Sequence, residues 1–112
     1  MQNRRFSRIR FESKAMVRTL EQSFETLTEN LSLNGLFIRT ERCLPVGNRV
    51  EIMLEIPSAS SSSLFTVNGK VVRNDVHGMA FQFGPLDQES FSRLQTVINR
   101  KSPNRLKEYH SA

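Results

Sequence analysis

The chain has a single cysteine, Cys43, no tryptophan and one tyrosine, Tyr109. One cysteine excludes an internal disulfide and any zinc site built from several thiolates. A lone thiol of this kind is expected to be a small buried or half-buried side chain. Only two histidines are present, His77 and His110, and with the scattered acids they show no metal-ligand spacing. No apolar run approaches the ~20 residues that span a bilayer. The first ten residues are polar and arginine-rich, without the apolar core of a secretory signal. These features together predict a cytoplasmic protein. There is no Walker loop, no Gly-x-Gly-x-x-Gly and no Gly-x-Ser-x-Gly elbow, so neither cofactor nor enzymatic activity is expected.

What is present fits one soluble domain. The 112 residues are 38% hydrophobic and 24% charged, enough for a modest core and against wholesale disorder. The net charge of +5 is distributed unevenly. Residues 1–18 hold six bases (Arg4, Arg5, Arg8, Arg10, Lys14, Arg18) against Glu12, and the remaining residues hold ten bases and ten acids. Arginine outnumbers lysine by twelve to four. Its planar fork of donors binds phosphate bidentately and stacks on a base. A neutral body with an arginine arm predicts an anionic partner, against the plainer reading of a solvated basic tail.

Residues 1–13 read as a flexible basic arm, with Phe6, Ile9 and Phe11 able to pin parts of it to a core. Residues 15–20 have the content of a first strand. The next segment is ambiguous. Leu20, Phe24, Leu27 and Leu31 fall at helical spacing, while Thr26, Thr28 and the turn chemistry of Asn34-Gly35 favour a strand in a hairpin. Val50, Ile52, Leu54 and Ile56 alternate with Glu51, Met53 and Glu55, the cleanest period-two pattern in the chain. A serine-rich loop follows Pro57, then a strand over residues 64–73 with Gly69 as a bulge or close-approach point. A turn around His77 leads to a last strand ending at Phe83. The period then changes. Asp87 caps a helix whose apolar face is Phe91, Leu94, Val97 and Ile98. The expectation is all-β: about six short antiparallel strands in a closed or nearly closed barrel, then a C-terminal α-helix, over residues 14–100, with a polar tail over 101–112.

Two short motifs remain. Arg4-Arg5-Phe6-Ser7-Arg8 is an Arg-x-x-x-Arg, and Asn30-Leu31-Ser32-Leu33-Asn34-Gly35 is an Asn-x-Ser-x-x-Gly. Each alone is weak, because either can be surface charge or turn chemistry. Their order, on an arm and then at a strand-to-strand turn, resembles the PilZ domain family of bacterial cyclic di-GMP receptors. The resemblance runs from Arg4 to about Ile98 and includes the later segments Gly69–Arg73 and Gly78–Phe83. It implies the six-stranded barrel with its C-terminal helix, and a strand rather than a helix before Asn30.

The resemblance also implies a ligand, cyclic di-GMP, and its site. Arg4 and Arg8 would supply forked donors to phosphate and to guanine edges, with Arg5 a third contact. Asn30 would meet a guanine edge, and Ser32 guanine or phosphate. Gly35 would give the turn its positive φ and allow close approach. The arm would order when ligand bridges it to the barrel, presenting a new surface to a protein partner. Asn3 stands where some members carry a further arginine and capture a ligand dimer; this favours one ligand per chain, with two as the alternative if Arg5 compensates. The competing readings are a nucleic-acid-binding module that uses the same arm, and a PilZ-like interaction domain without ligand. The neutral body and scarcity of stacking aromatics weigh against nucleic acid.

Overall fold

The computed structural model describes residues 8–57 and 62–100. Seven strands and one helix follow in order: β1 (Ile9–Arg10), β2 (Lys14–Arg18), β3 (Ser23–Leu31), β4 (Gly35–Arg39), β5 (Arg49–Pro57), β6 (Ser62–Asp75), β7 (Gly78–Phe83) and α1 (Gln88–Arg100). All strand pairs are antiparallel. Strands β3, β2, β5, β6, β7 and β4 pair in that order, and β4 returns to β3. This closes a six-stranded barrel and leaves those strands no continuous free edge. The short β1 lies outside the ring, on the edge of β3 that β2 also uses.

Alternation decides which residues fill the barrel. In β5, Val50, Ile52, Leu54 and Ile56 are buried, as the sequence predicts. They meet Phe65, Val67 and Val71 of β6, and Leu36, Ile38, Met79 and Phe81 from β4 and β7, in one core cluster. Leu94 and Ile98 of α1 complete it, with Val97 packed alongside. Phe91, expected on the same face, is instead 38% exposed. Arg93 ties the helix to β6: its guanidinium lies 5.3 Å from the Phe65 ring centroid and donates to Ser63 Oγ at 2.9 Å. Asp87 caps α1 as expected, its Oδ1 accepting the Ser90 N–H at 2.8 Å.

The ambiguous segment is strand β3, and the structure explains the helical spacing. Phe24, Thr28 and Leu31 are the buried positions, separated by four and then three residues. Strands keep period two unless a bulge intervenes, and the β3–β4 register shifts between Thr28 and Asn30. The extra residue moves the buried set from even to odd numbers. Leu20 and Leu27, which completed the apparent helical stripe, are exposed.

Two expectations are corrected. The arm does not run to residue 13, because Ile9 and Phe11 are buried and residues 9–11 and 13 are bonded to the barrel. The buried Thr28 hydroxyl donates to the Phe11 carbonyl and accepts the Ser13 N–H, holding the chain between β1 and β2. Cys43 is exposed rather than buried. Of the two expected readings of Gly69, close approach is the one found. A Cβ there would sit 2.6 Å from the Gln82 carbonyl oxygen, and the bulge in β6 falls between Val71 and Arg73. Of the expected serine-rich loop at 58–63, residues 62 and 63 belong to β6, and residues 58–61, like Phe6 and the polar tail from 101, lie outside the described residues.

Candidate functional site

Residues from separate strands meet on the outer wall of the barrel. Asn30 pairs with Arg10 on one side and Phe37 on the other. The bulge turns both Glu29 and Asn30 toward an open cleft of about 680 Å³. The cleft is also lined by Arg8, Phe37, Arg39, Arg73, Asp75 and His77. Arg8 enters from the residue before β1, and its Nη1 donates to Asn30 Oδ1 at 2.7 Å. The last residue of the first motif therefore touches the first residue of the second.

The charges here are arranged in loose pairs. Arg39 Nε stands 3.6 Å from Glu29 Oε1, and Arg73 Nη2 stands 3.7 Å from Asp75 Oδ2, both partly exposed. Exposed pairs at such lengths are weak and can be exchanged for a better anion at small cost. Arg73 also lies 5.7 Å from the Phe37 ring centroid. Asp75 is engaged in the turn. The His77 N–H bonds its Oδ1 at 2.8 Å and is the chief cause holding the carboxyl below its ordinary value, with the Gly78 N–H and Arg73 adding to it. The cleft therefore offers three guanidiniums, an amide and an imidazole to a ligand, with one of its two carboxylates committed to backbone.

The remaining motif residues build the turn. Ser32 is 2% exposed, and its Oγ accepts the N–H groups of Asn34 and Gly35 at 3.1 and 3.2 Å. The Ser32 N–H bonds the Gly35 carbonyl at 2.9 Å, closing the hairpin. Gly35 does not take the expected positive φ; among the described residues only Gly47 does, at 93°. The reason for glycine at 35 is contact with β7. A Cβ would lie 2.1 Å from the Phe81 carbonyl oxygen. The structure thus brings Arg8 and Asn30 together and sets Ser32 and Gly35 beneath them as the support of the turn. Arg4 and Arg5 lie outside the described residues.

Arg39, Arg73 and His77 were not singled out from sequence. They reach the cleft only through the register of β4, β7 and β6, in which Arg39 pairs with Gly78 and Arg73 with Ala80. No local pattern carries that information. No cluster of His, Cys, Asp and Glu suited to a metal ion occurs among the described residues. No helix among them is long and apolar enough to cross a membrane.

Comparison with known proteins gives a consistent result. The sequence model for the PilZ domain matches residues 2–100. No curated protein matches the sequence. Among solved structures, the Bacillus subtilis inhibitor of motility (MotI/DgrA) superposes with a TM-score of 0.77 at 18% identity, covering 89% of this chain and 51% of its own. The PilZ domain of YcgR from Escherichia coli, solved with c-di-GMP, gives 0.71 at 14% identity, with 99% of this chain and 100% of that one covered. The K. pneumonia MrkH–c-di-GMP complex gives 0.68 at 13% identity, with 96% and 56% covered. The chain thus spans about half the length of the motility inhibitor and of MrkH.

Proposed function

The chain belongs to the PilZ domain family, and on that premise we propose that it is a receptor for cyclic di-GMP. The observation that carries this reading is the Arg8–Asn30 hydrogen bond beside a cleft lined by arginines. Two of the similar structures, YcgR and MrkH, hold c-di-GMP. The ligand has two phosphodiester charges and two guanines. Arg8, with Arg4 and Arg5 on the arm, binds phosphate and guanine edges through forked donors. Asn30 reads a guanine edge with its amide. Ser32 and Gly35 act by holding the turn that presents Asn30.

The mechanism is a shift in the population of arm conformations. The ligand bridges arm and barrel, and its differential affinity for the bridged state sets how far the equilibrium moves. The arm laid across the barrel is the surface a protein partner reads. The role is that of a cytoplasmic adaptor, with no catalytic step. Titration calorimetry with cyclic di-GMP, with GTP as control, tests the proposal. Saturable binding of cyclic di-GMP alone, at one ligand per chain, is expected. Equal binding of GTP, or of single-stranded RNA, would support the nucleic-acid reading instead.

A further inference from the structure

A second and larger cleft, of about 1220 Å³, lies on another part of the barrel wall. Its floor is the row Arg49–Lys70–Gln82, which crosses β5, β6 and β7 as directly paired residues. Arg49 opposite Lys70 is a like-charge cross-strand pair, an arrangement that costs stability when nothing neutralises it. Neither side chain forms an ion pair with any described residue. The one acid in the lining, Glu51, is already engaged by Arg18 at 2.8 Å.

Two further features shape the cleft. Gly47 and Gly84 bare its backbone: nothing lies within 4 Å of a Cβ built at Gly47, and at Gly84 only the Asn68 carbonyl oxygen, at 3.5 Å. At the rim, Leu20 is 100% exposed. Cations on the floor, open backbone and an apolar side chain at the edge match a peptide with carboxylates and an apolar residue. A free phosphate would leave Leu20 unused.

We propose that this cleft is the docking surface for an acidic segment of a protein partner, seated on Arg49 and Lys70 with an apolar side chain against Leu20. The chain's own ends do not supply the occupant. Residues 1–18 are strongly basic, and residues 101–112 carry Lys101, Arg105 and Lys107 against Glu108. Residues 19–100 hold nine acids and seven bases, with no two acids adjacent in sequence, so a second copy offers no acidic segment either. The position suits an adaptor. The floor row continues from Gln82 to Gly35, and the Phe83 N–H bonds the Asn34 carbonyl at 2.8 Å, so the cleft adjoins the turn that presents Asn30. The inference extends the receptor reading by naming the partner's surface, but it stands or falls at residues outside the messenger cleft.

The test is amide-resonance mapping of the full chain titrated with acetyl-Glu-Asp-Leu-Asp-Glu-amide, with and without saturating cyclic di-GMP. Saturable shifts at Leu20, Arg49, Lys70 and Gly84 are expected in both conditions. Lys70→Glu should weaken them about fivefold, the upper worth of one exposed ion pair. Gly84→Glu, which adds a carboxylate where a Cβ meets only ordinary contact, should weaken them similarly with the spectrum otherwise retained. Shifts confined to the arm and Arg8, loss of the cleft shifts when cyclic di-GMP is added, or unchanged binding by both variants would overturn the proposal. Stronger shifts of the same amides by oligo-dT would also overturn it, in favour of a nucleic acid. Failure of cyclic di-GMP to bind would overturn the receptor reading alone.

Discussion

Arg8 and Asn30, 22 residues apart in sequence, are joined by a guanidinium-to-amide hydrogen bond of 2.7 Å. The bond exists because β1 pairs with the end of β3, which sets Arg10 opposite Asn30 and delivers Arg8 to the cleft. Without that two-residue strand the two motifs would share a chain but not a site.

Truncation of Arg8 should therefore harm binding more than loss of any general surface charge. We expect Arg8→Ala to weaken cyclic di-GMP binding by about ten- to a hundredfold, the range for a lost hydrogen bond to a charged group. Arg18→Ala, which removes a cation paired with Glu51, should change it by less than about threefold. Calorimetry on the two variants checks this, and equal losses would indicate diffuse charge attraction.

Salt separates the same alternatives. Exposed charge interactions are screened over about 8 Å at physiological ionic strength. Affinity for the messenger should fall as salt rises but remain measurable, because amide and guanine-edge contacts are not screened away. A displacement assay across a salt series reads the slope.

Gly35 and Ser32 should act on stability before they act on binding. Gly35→Ala forces a Cβ against the backbone of β7 and should cost about 3 kcal/mol in denaturant unfolding, at the upper end of overpacking costs. Ser32→Ala removes the acceptor of two turn N–H groups and should cost about 1–3 kcal/mol. Gly84→Ala, with room for its methyl, should be nearly neutral.

Acid should loosen two local structures first. Asp75 and Asp87 both titrate below their ordinary value of 3.8, held there chiefly by the backbone N–H groups of His77 and Ser90 respectively. A depressed folded-state value means the stabilisation is complete above the unfolded value and is lost as pH falls through the folded one. The 75–78 turn and the start of α1 should therefore lose order below pH 3.8 while the barrel persists. Asp87→Asn keeps a capping oxygen without the charge and should flatten the acid response of α1, read by helical amide shifts.

The legible parts of the fold were those with local causes. The alternation of β5 follows from burial of one face, and the cap at Asp87 from the needs of a helix start. The closing of the barrel through β3 and β4 was consistent with many short strands, and the family resemblance fixed it. What sequence could not show was non-local. The bulge in β3 imitated a helical period, the burial of Ile9 and Phe11 shortened the arm, and Arg39, Arg73 and His77 came to the cleft through register alone. Of the motif residues, Arg8 and Asn30 are legible as separate contacts to one ligand, while their direct hydrogen bond is not legible. Gly35 was identified with the wrong reason, because the closeness of β7 is not written near it.

The bulge between Thr28 and Asn30 also makes the site depend on a count as well as on identities. Deleting the single residue Glu29 would leave every motif side chain in the sequence, yet it would restore an uninterrupted strand phase. Asn30 would take the outward place of Glu29, but the Glu29 carbonyl that accepts the Phe11 N–H would be gone, and β1 could no longer keep both that bond and the register that sets Arg8 beside Asn30. Among relatives with intact motifs, the length of this segment is therefore as strict a requirement for a working site as its letters.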